Sequence, residues 1–209
     1  YVSQAGRLLT PLGLRASLEV VGDHVQTNER PNNLFRIKTE TSQASAVVRT
    51  ALSDLLSPAF GDLAGGVELK SQLRTTIFDG VPVGEGQAQV AQLVVGWSGR
   101  WPDRLGTNSL DVRLKSNPGG VLSGNNSAAW SSFTNGRVTD VHTHLATVEY
   151  GRVTPLPMSL SLKSEISVLA SSKPLPDTER IGLGGTQGVR GYVTEDGVVD
   201  QALILRNSL

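Results

Sequence analysis

The chain of 209 residues contains no cysteine. That excludes a disulfide framework, a thiolate metal site and cysteine catalysis, and it suits passage through an oxidising periplasm. Aromatic residues are scarce, at 5%. No run approaches the ~18 consecutive apolar residues that mark a transmembrane helix, and no secretory signal peptide is visible. Neither sign of charge prevails: 19 basic residues meet 19 acidic ones, for a formal net charge of zero. The electrostatic footprint of a nucleic-acid binder is therefore missing. Methionine occurs once, as Met158. Residue 1 is then not an initiator, and the expectation is a fragment that starts inside a strand pattern and stops as a strand completes. The length admits one large domain or two small ones. No Pro-rich or Ser-rich linker divides it, so one domain is expected.

What is present is alternation. Period two recurs almost everywhere and period 3.6 hardly at all. From Val67 to Phe78, the residues Val67, Leu69, Leu73 and Ile77 share one face, and Glu68, Lys70, Gln72 and Arg74 share the other. From Met158 to Ser171, Met158, Leu160, Leu162, Ile166 and Val168 stand against Ser159, Ser161, Lys163, Glu165 and Ser167. The same rhythm marks Leu14 to Val20, Phe35 to Thr41 and Leu110 to Lys115. Weaker strands are expected at about Ser45 to Leu55, Gln87 to Trp101, Val138 to Tyr150 and Gln201 to Arg206. Turn formers separate them: Asp79-Gly80, Asn117-Pro118-Gly119-Gly120, Gly124-Asn125-Asn126, Asn135-Gly136 and Asp196-Gly197. About nine strands joined by hairpins result. The stretch from Ser116 to Arg137 reads as a long loop.

Two all-β architectures alternate in this way. In a soluble sandwich the apolar face is the core, and strands run about five or six residues. A membrane barrel turns its apolar side chains to lipid and needs about nine to eleven residues per crossing. Several segments here are that long. Trp97 and Trp101 follow Leu93 and Val95 on one face, as an interfacial girdle requires. The scarcity of aromatics argues the other way.

The most distinctive stretch is Leu175 to Tyr192, LPDTERIGLGGTQGVRGY. Five glycines, Gly182, Gly184, Gly185, Gly188 and Gly191, crowd around one arginine, Arg190. Glycine allows reversals and close approach, and a guanidinium presents a planar fork of donors to a carboxylate. As a phosphate loop the stretch lacks the following Lys-Ser/Thr; as a plain surface loop it needs no partner. The ordered string Pro176, Glu179, Gly184, Gly185, Val189, Arg190, Gly191 and Tyr192 resembles the haemolysin-activator outer-membrane transporters. These are the TpsB partners of two-partner secretion (ShlB/FhaC-like), relatives of the BamA-like barrel assembly factors. Downstream the likeness continues through Asp200 to Arg206-Asn207-Ser208-Leu209, where Ser208 replaces a glutamate common in the family.

By that resemblance the fold is a partial antiparallel transmembrane β-barrel. Residues 1–209 fall in the C-terminal barrel domain, with the two POTRA modules and plugging helix before it, and the strands after it, out of view. The implied function is a pore in the outer membrane of a Gram-negative bacterium. It secretes and activates a TpsA-like partner exoprotein, haemolysin- or adhesin-like. The implied partners are that exoprotein and outer-membrane lipid, with no nucleic acid, nucleotide, cofactor, metal or catalytic residue. The loop at about 172–197 folds inward as a latch, and Arg190 meets an acidic wall residue that lies beyond Leu209. Val189 and Tyr192 pack its tip; Gly184, Gly185 and Gly191 permit the reversal. Glu179 either braces the loop or is simply solvated. A BamA-like insertase and a soluble β-rich binding module stand as alternatives.

Other constellations are weaker. His142 and His144 stand two apart, as half a metal site, a pH-sensitive patch or two residues facing water beside Asp140. No G-x-S-x-G occurs, and no carboxylate pair is picked out by its neighbours for acid–base work. The row Glu68, Lys70 and Arg74 is either a solvated face or a polar channel wall.

Overall fold

The computed structural model describes residues 2–9, 15–52, 61–183 and 197–209. In chain order the elements are β1 (Val2–Leu9), β2 (Arg15–Glu29), β3 (Phe35–Ala51), β4 (Asp62–Phe78), β5 (Val81–Asp103) and β6 (Gly106–Asn117). Then come α1 (Ser127–Phe133), β7 (Thr143–Pro155), β8 (Ser161–Ser171), β9 (Ile181–Gly182), β10 (Val198–Val199) and β11 (Ala202–Ser208). Nine strands form one antiparallel sheet in the order β1 to β8, then β11. The two short strands β9 and β10 pair with each other in the connection before β11. The nine-stranded sheet is open, with β1 and β11 at its edges.

The count of nine agrees with the alternation, but the membership differs. Phe35–Thr41 and Ser45–Leu55 belong to one strand, β3, paired without a break to β2 and β4. The polar stretch Glu40–Gln43 hides that continuity, because there both faces carry polar residues and period two fades. Val2–Leu9 supplies the ninth strand, which the pattern did not mark. Met158 and Ser159 have φ of 62° and 61° and lie in the β7–β8 turn, outside β8. Asp79-Gly80 forms the expected two-residue hairpin turn with φ of 47° and 81°, the left-handed pair that matches strand twist.

Residues paired across an antiparallel ladder share a face, so the register sorts the side chains. One face carries Leu18, Val20, Val48, Val67, Leu69, Leu93, Val95, Leu114, Val148, Val168, Ile166, Leu203 and Leu205. Many of these are among the most exposed apolar residues of the chain, Leu203 at 67% and Leu93 at 56%. Among the described residues no second layer covers Ile166 and Val168, so they do not form a sandwich core. Trp97 and Trp101 lie on the same face, in register with Val112 and Asn108. The opposite face carries Glu68, Lys70, Gln72, Arg74, Gln92, Arg113, Lys115, Asp111, Glu149 and Glu165. An oily outside and a wet inside are what a barrel wall in hydrocarbon requires.

The strands overreach the bilayer. β5 has 23 residues, ~75 Å at the rise of an extended chain, where about nine to eleven residues suffice to cross. Above the level of Leu69 and Ala91 the outer rows turn polar, through Ser42, Ser71 and Gln89, then Lys38, Thr75 and Glu85. At this end lie the long connections 118–142 and 172–201; the other end has the short turns at 104–105 and 156–160.

The connection 118–142 is not the featureless loop that its weak alternation suggested. The Asn126 side chain caps α1 by accepting from the Ala129 N–H at 2.9 Å, satisfying one of the donors that a helix start leaves open. Asn135 and Gly136, with φ of 53° and 82°, end it, and the Gly136 N–H returns to the Ser131 carbonyl. Seven residues show too few turns for a period of 3.6 to be read. α1 lays Trp130 and Phe133 on Ala88 and Val90 of the inner face, with Val138 and Val141 completing the cluster. Trp130 is wholly buried, and its Nε1–H donates to the Gln89 carbonyl at 2.7 Å. Val138 and Val141 therefore precede β7, which starts only at Thr143.

Candidate functional site

The motif Leu175-Pro176-Asp177-Thr178-Glu179 folds as a root that fastens the following loop to the inner wall. Leu175 is wholly buried between Leu145 and Leu169, with Ile181 and Ala202 against them. Pro176, at φ −62° and ψ 155°, stands before a single 3-10 turn, Asp177–Glu179. Its carbonyl accepts the Glu179 N–H at 2.9 Å. Proline presets that φ and keeps the chain extended before the turn. The turn aims the Glu179 side chain at the wall, where only 3% of it meets solvent.

Glu179 meets two lysines from different strands. Oε1 accepts from Lys70 Nζ of β4, and Oε2 lies 3.5 Å from Lys115 Nζ of β6. Lys115 also reaches across β5 to Glu68 at 2.7 Å. Two acids and two bases thus form a neutral chain of four charges, each side chain at most 14% exposed. Such a group tolerates burial only because each charge is paired and hydrogen-bonded. Of the two readings of Glu179, bracing and simple solvation, this geometry is not that of a solvated carboxylate.

A second ionic group closes the neck. Asp177, on the leg that leads into the loop, and Asp200, on the leg that leads out, face the same two arginines. Arg137 donates Nη2 to Asp177 Oδ1 at 2.7 Å and stands 3.4 Å from Asp200. Arg180 lies 3.4 Å from each. The Leu175 N–H donates to Asp200 at 2.9 Å, and the Leu183 N–H donates to the Gly197 carbonyl at 2.7 Å. Arg74 of β4 approaches Asp177 at 3.6 Å while its guanidinium lies 4.5 Å from the centre of the Phe133 ring. Toward the end with short turns, the inner face opens into a polar cavity of about 790 Å³ lined by Asp111, Glu149, Glu165 and Arg206, among others.

Of the latch residues named from the sequence, Glu179 is placed as above. Gly184, Gly185, Val189, Arg190, Gly191 and Tyr192 lie outside the described residues. Sequence reasoning marked the row Glu68, Lys70 and Arg74 but not what it holds; it named Asp200 as a point of resemblance without a role, and it missed Lys115, Arg137, Asp177 and Arg180. The available signal was the shared face of the row and the motif's own carboxylates. Their separation, 109 residues between Lys70 and Glu179, left nothing local to join them. His142 precedes β7 and bonds Asp140, while His144 bonds Ser116 Oγ at 3.1 Å. The two imidazoles thus serve different partners. Asp140 is held well below the usual carboxylate range, first by the bond from Lys173 and then by the backbone N–H and ring of His142.

No curated protein matches the sequence significantly. The solved structure of CdiB from Escherichia coli superposes with a TM-score of 0.69 at 14% identity, over 98% of this chain and 37% of that one. The chain thus spans little more than a third of that neighbour's length, and the likeness is one of fold. The family model described as haemolysin secretion/activation protein ShlB/FhaC/HecB matches residues 59–209. That match takes in the polar wall strands, the root and the neck, and so the chain belongs to the ShlB/FhaC/HecB haemolysin secretion/activation family, its sheet a part of the wall of a Gram-negative outer-membrane β-barrel.

Proposed function

We propose that this chain walls a channel which exports and activates one large partner exoprotein of the TpsA kind, haemolysin- or adhesin-like, in two-partner secretion. Residues 1–209 lie within its barrel domain. The loop at about 172–197 is the latch, rooted on the lumen side, with Arg190 as its working cation and Gly184, Gly185, Val189, Gly191 and Tyr192 shaping it. The carrying observation is the buried contact of Glu179 with Lys70 and Lys115. It anchors the start of the loop to the polar face of the sheet. A wall lined with paired charges offers an unfolded chain few apolar places to stick.

The end with the long connections faces the cell exterior, since barrels of this class keep short turns on the periplasmic side. No nucleotide, cofactor or catalytic group enters this account; folding of the exported chain outside supplies the drive. A BamA-like insertase would share the arginine loop, whereas the Leu-Pro-x-x-Glu root favours secretion. A soluble binding module would need to cover Leu93, Val95, Leu203 and Leu205, which stand open to the surroundings. The test is Arg190→Ala in the full-length protein. Export of the partner should be abolished or strongly reduced while the barrel still inserts, and unimpaired export would remove the latch.

A further inference from the structure

We propose that Arg137 is a positioning residue that closes the neck of the 172–197 loop and makes the closure depend on α1 being seated. The inference rests on that loop acting as the latch. Arg137 follows α1 directly and belongs to neither leg of the loop, yet its two terminal nitrogens engage Asp177 on one leg and Asp200 on the other. A planar fork can hold two carboxylates at fixed separation, which a lysine cannot. The position of Arg137 is in turn set by α1. The Arg137 N–H donates to the Thr134 carbonyl, and the Val138 N–H beside it donates to Thr134 Oγ1, itself bonded to the Trp130 carbonyl.

Two further contacts join the same pieces. Lys173 bonds Asp140, and Arg74 lies between the Phe133 ring and Asp177. Each of these touches the ingoing leg alone. The legs also bond each other directly, through Arg180 to Asp200 and to the Val198 carbonyl and through the Leu175 N–H to Asp200. Of the side chains on the α1 connection, Arg137 is the tie that reaches both legs, so its loss should uncouple them from α1. Its side chain is 31% exposed, and water weakens each of its contacts. A tie of that strength holds the neck and still lets go.

This chain holds no cysteine, so in a full-length protein free of other cysteines an introduced pair makes a clean lock. A Cβ at Gly124 would stand 3.0 Å from Gln89 Cγ, so the pair Gln89→Cys and Gly124→Cys can be oxidised to pin the α1 connection to β5. The readout is amide exchange at Leu183, whose bond to Gly197 spans the legs, in the full-length protein in lipid nanodiscs. With Arg137 present, oxidation should slow exchange at Leu183 about fivefold, the upper range for a solvent-reached ion pair. With Arg137→Ala the same lock should leave Leu183 unchanged. A lock without effect in the Arg137 protein would overturn the coupling, and a lock equally effective in Arg137→Ala would overturn the role of Arg137. The readout needs no export, so failure of the latch reading shows separately, as unimpaired secretion by Arg190→Ala.

Discussion

Lys70 and Glu179 are 109 residues apart in the chain and meet on the inner face of the sheet with both side chains almost wholly withdrawn from water. The contact joins a wall strand to the root of the loop. Breaking a buried pair from one side leaves its partner charged and unpaired.

Glu179→Gln should therefore cost the root about 3 kcal/mol, seen as faster protease cleavage between residues 175 and 183 in the assembled barrel. The double substitution Lys70→Met with Glu179→Leu should recover most of that loss, because it removes both charges together. A single mutant as resistant as wild type would show that the pair contributes nothing to the root.

Leu175→Ala should weaken the same root by another route. Leu175 fills the gap between Leu145 and Leu169, and truncating a buried leucine costs about 2–5 kcal/mol. The expected outcome is loss of loop attachment with the barrel's own thermal transition retained. A fall in the barrel transition itself would place Leu175 in the wall rather than in the root.

Trp130→Ala and Asn126→Ala should rank in that order. The first empties the centre of the α1 cluster, at about 3–5 kcal/mol; the second removes only a cap, at about 1 kcal/mol. Near-ultraviolet circular dichroism and exchange at the Trp130 and Thr134 amides would read the difference. Equal effects would mean that α1 is held by its cap and not by its packing.

The Asp140–Lys173 contact should survive mild acid. The Asp140 carboxyl is held below its ordinary range, so its stabilising effect is present above the ordinary carboxylate value and is lost as pH falls through the depressed one. The protection factor of the His142 amide, which donates to Asp140, should stay constant from pH 7 down to about pH 4 once the intrinsic pH dependence of exchange is divided out, and fall only below that range. Protection that is already lost near pH 6 would contradict this.

Much of the wall was legible in the sequence, because a side chain's face in a strand follows from its parity alone. Leu162, Ile166 and Val168 against Lys163 and Glu165 needed no partner to be sorted. The strand limits were less visible where strands leave the membrane. At Glu40–Gln43 both faces carry polar residues, so the contrast that reveals a strand disappears although its hydrogen bonds do not. The helix α1 is too short to show its period. The root was legible as wording, Pro176 and Glu179, but its physics was not, since Glu68, Lys70 and Lys115 come together with Glu179 only when β4, β5 and β6 are laid side by side.

The central claim is that the Ile166 face meets lipid and the Glu165 face meets the lumen. Single cysteines at these two neighbouring positions test it directly, in a full-length protein lacking other cysteines and inserted in vesicles. Ile166→Cys should react with a lipid-soluble maleimide and resist a charged, membrane-impermeant one, and Glu165→Cys should do the reverse. Reaction of Ile166→Cys with the charged reagent, or protection of both positions from both reagents, would contradict the account.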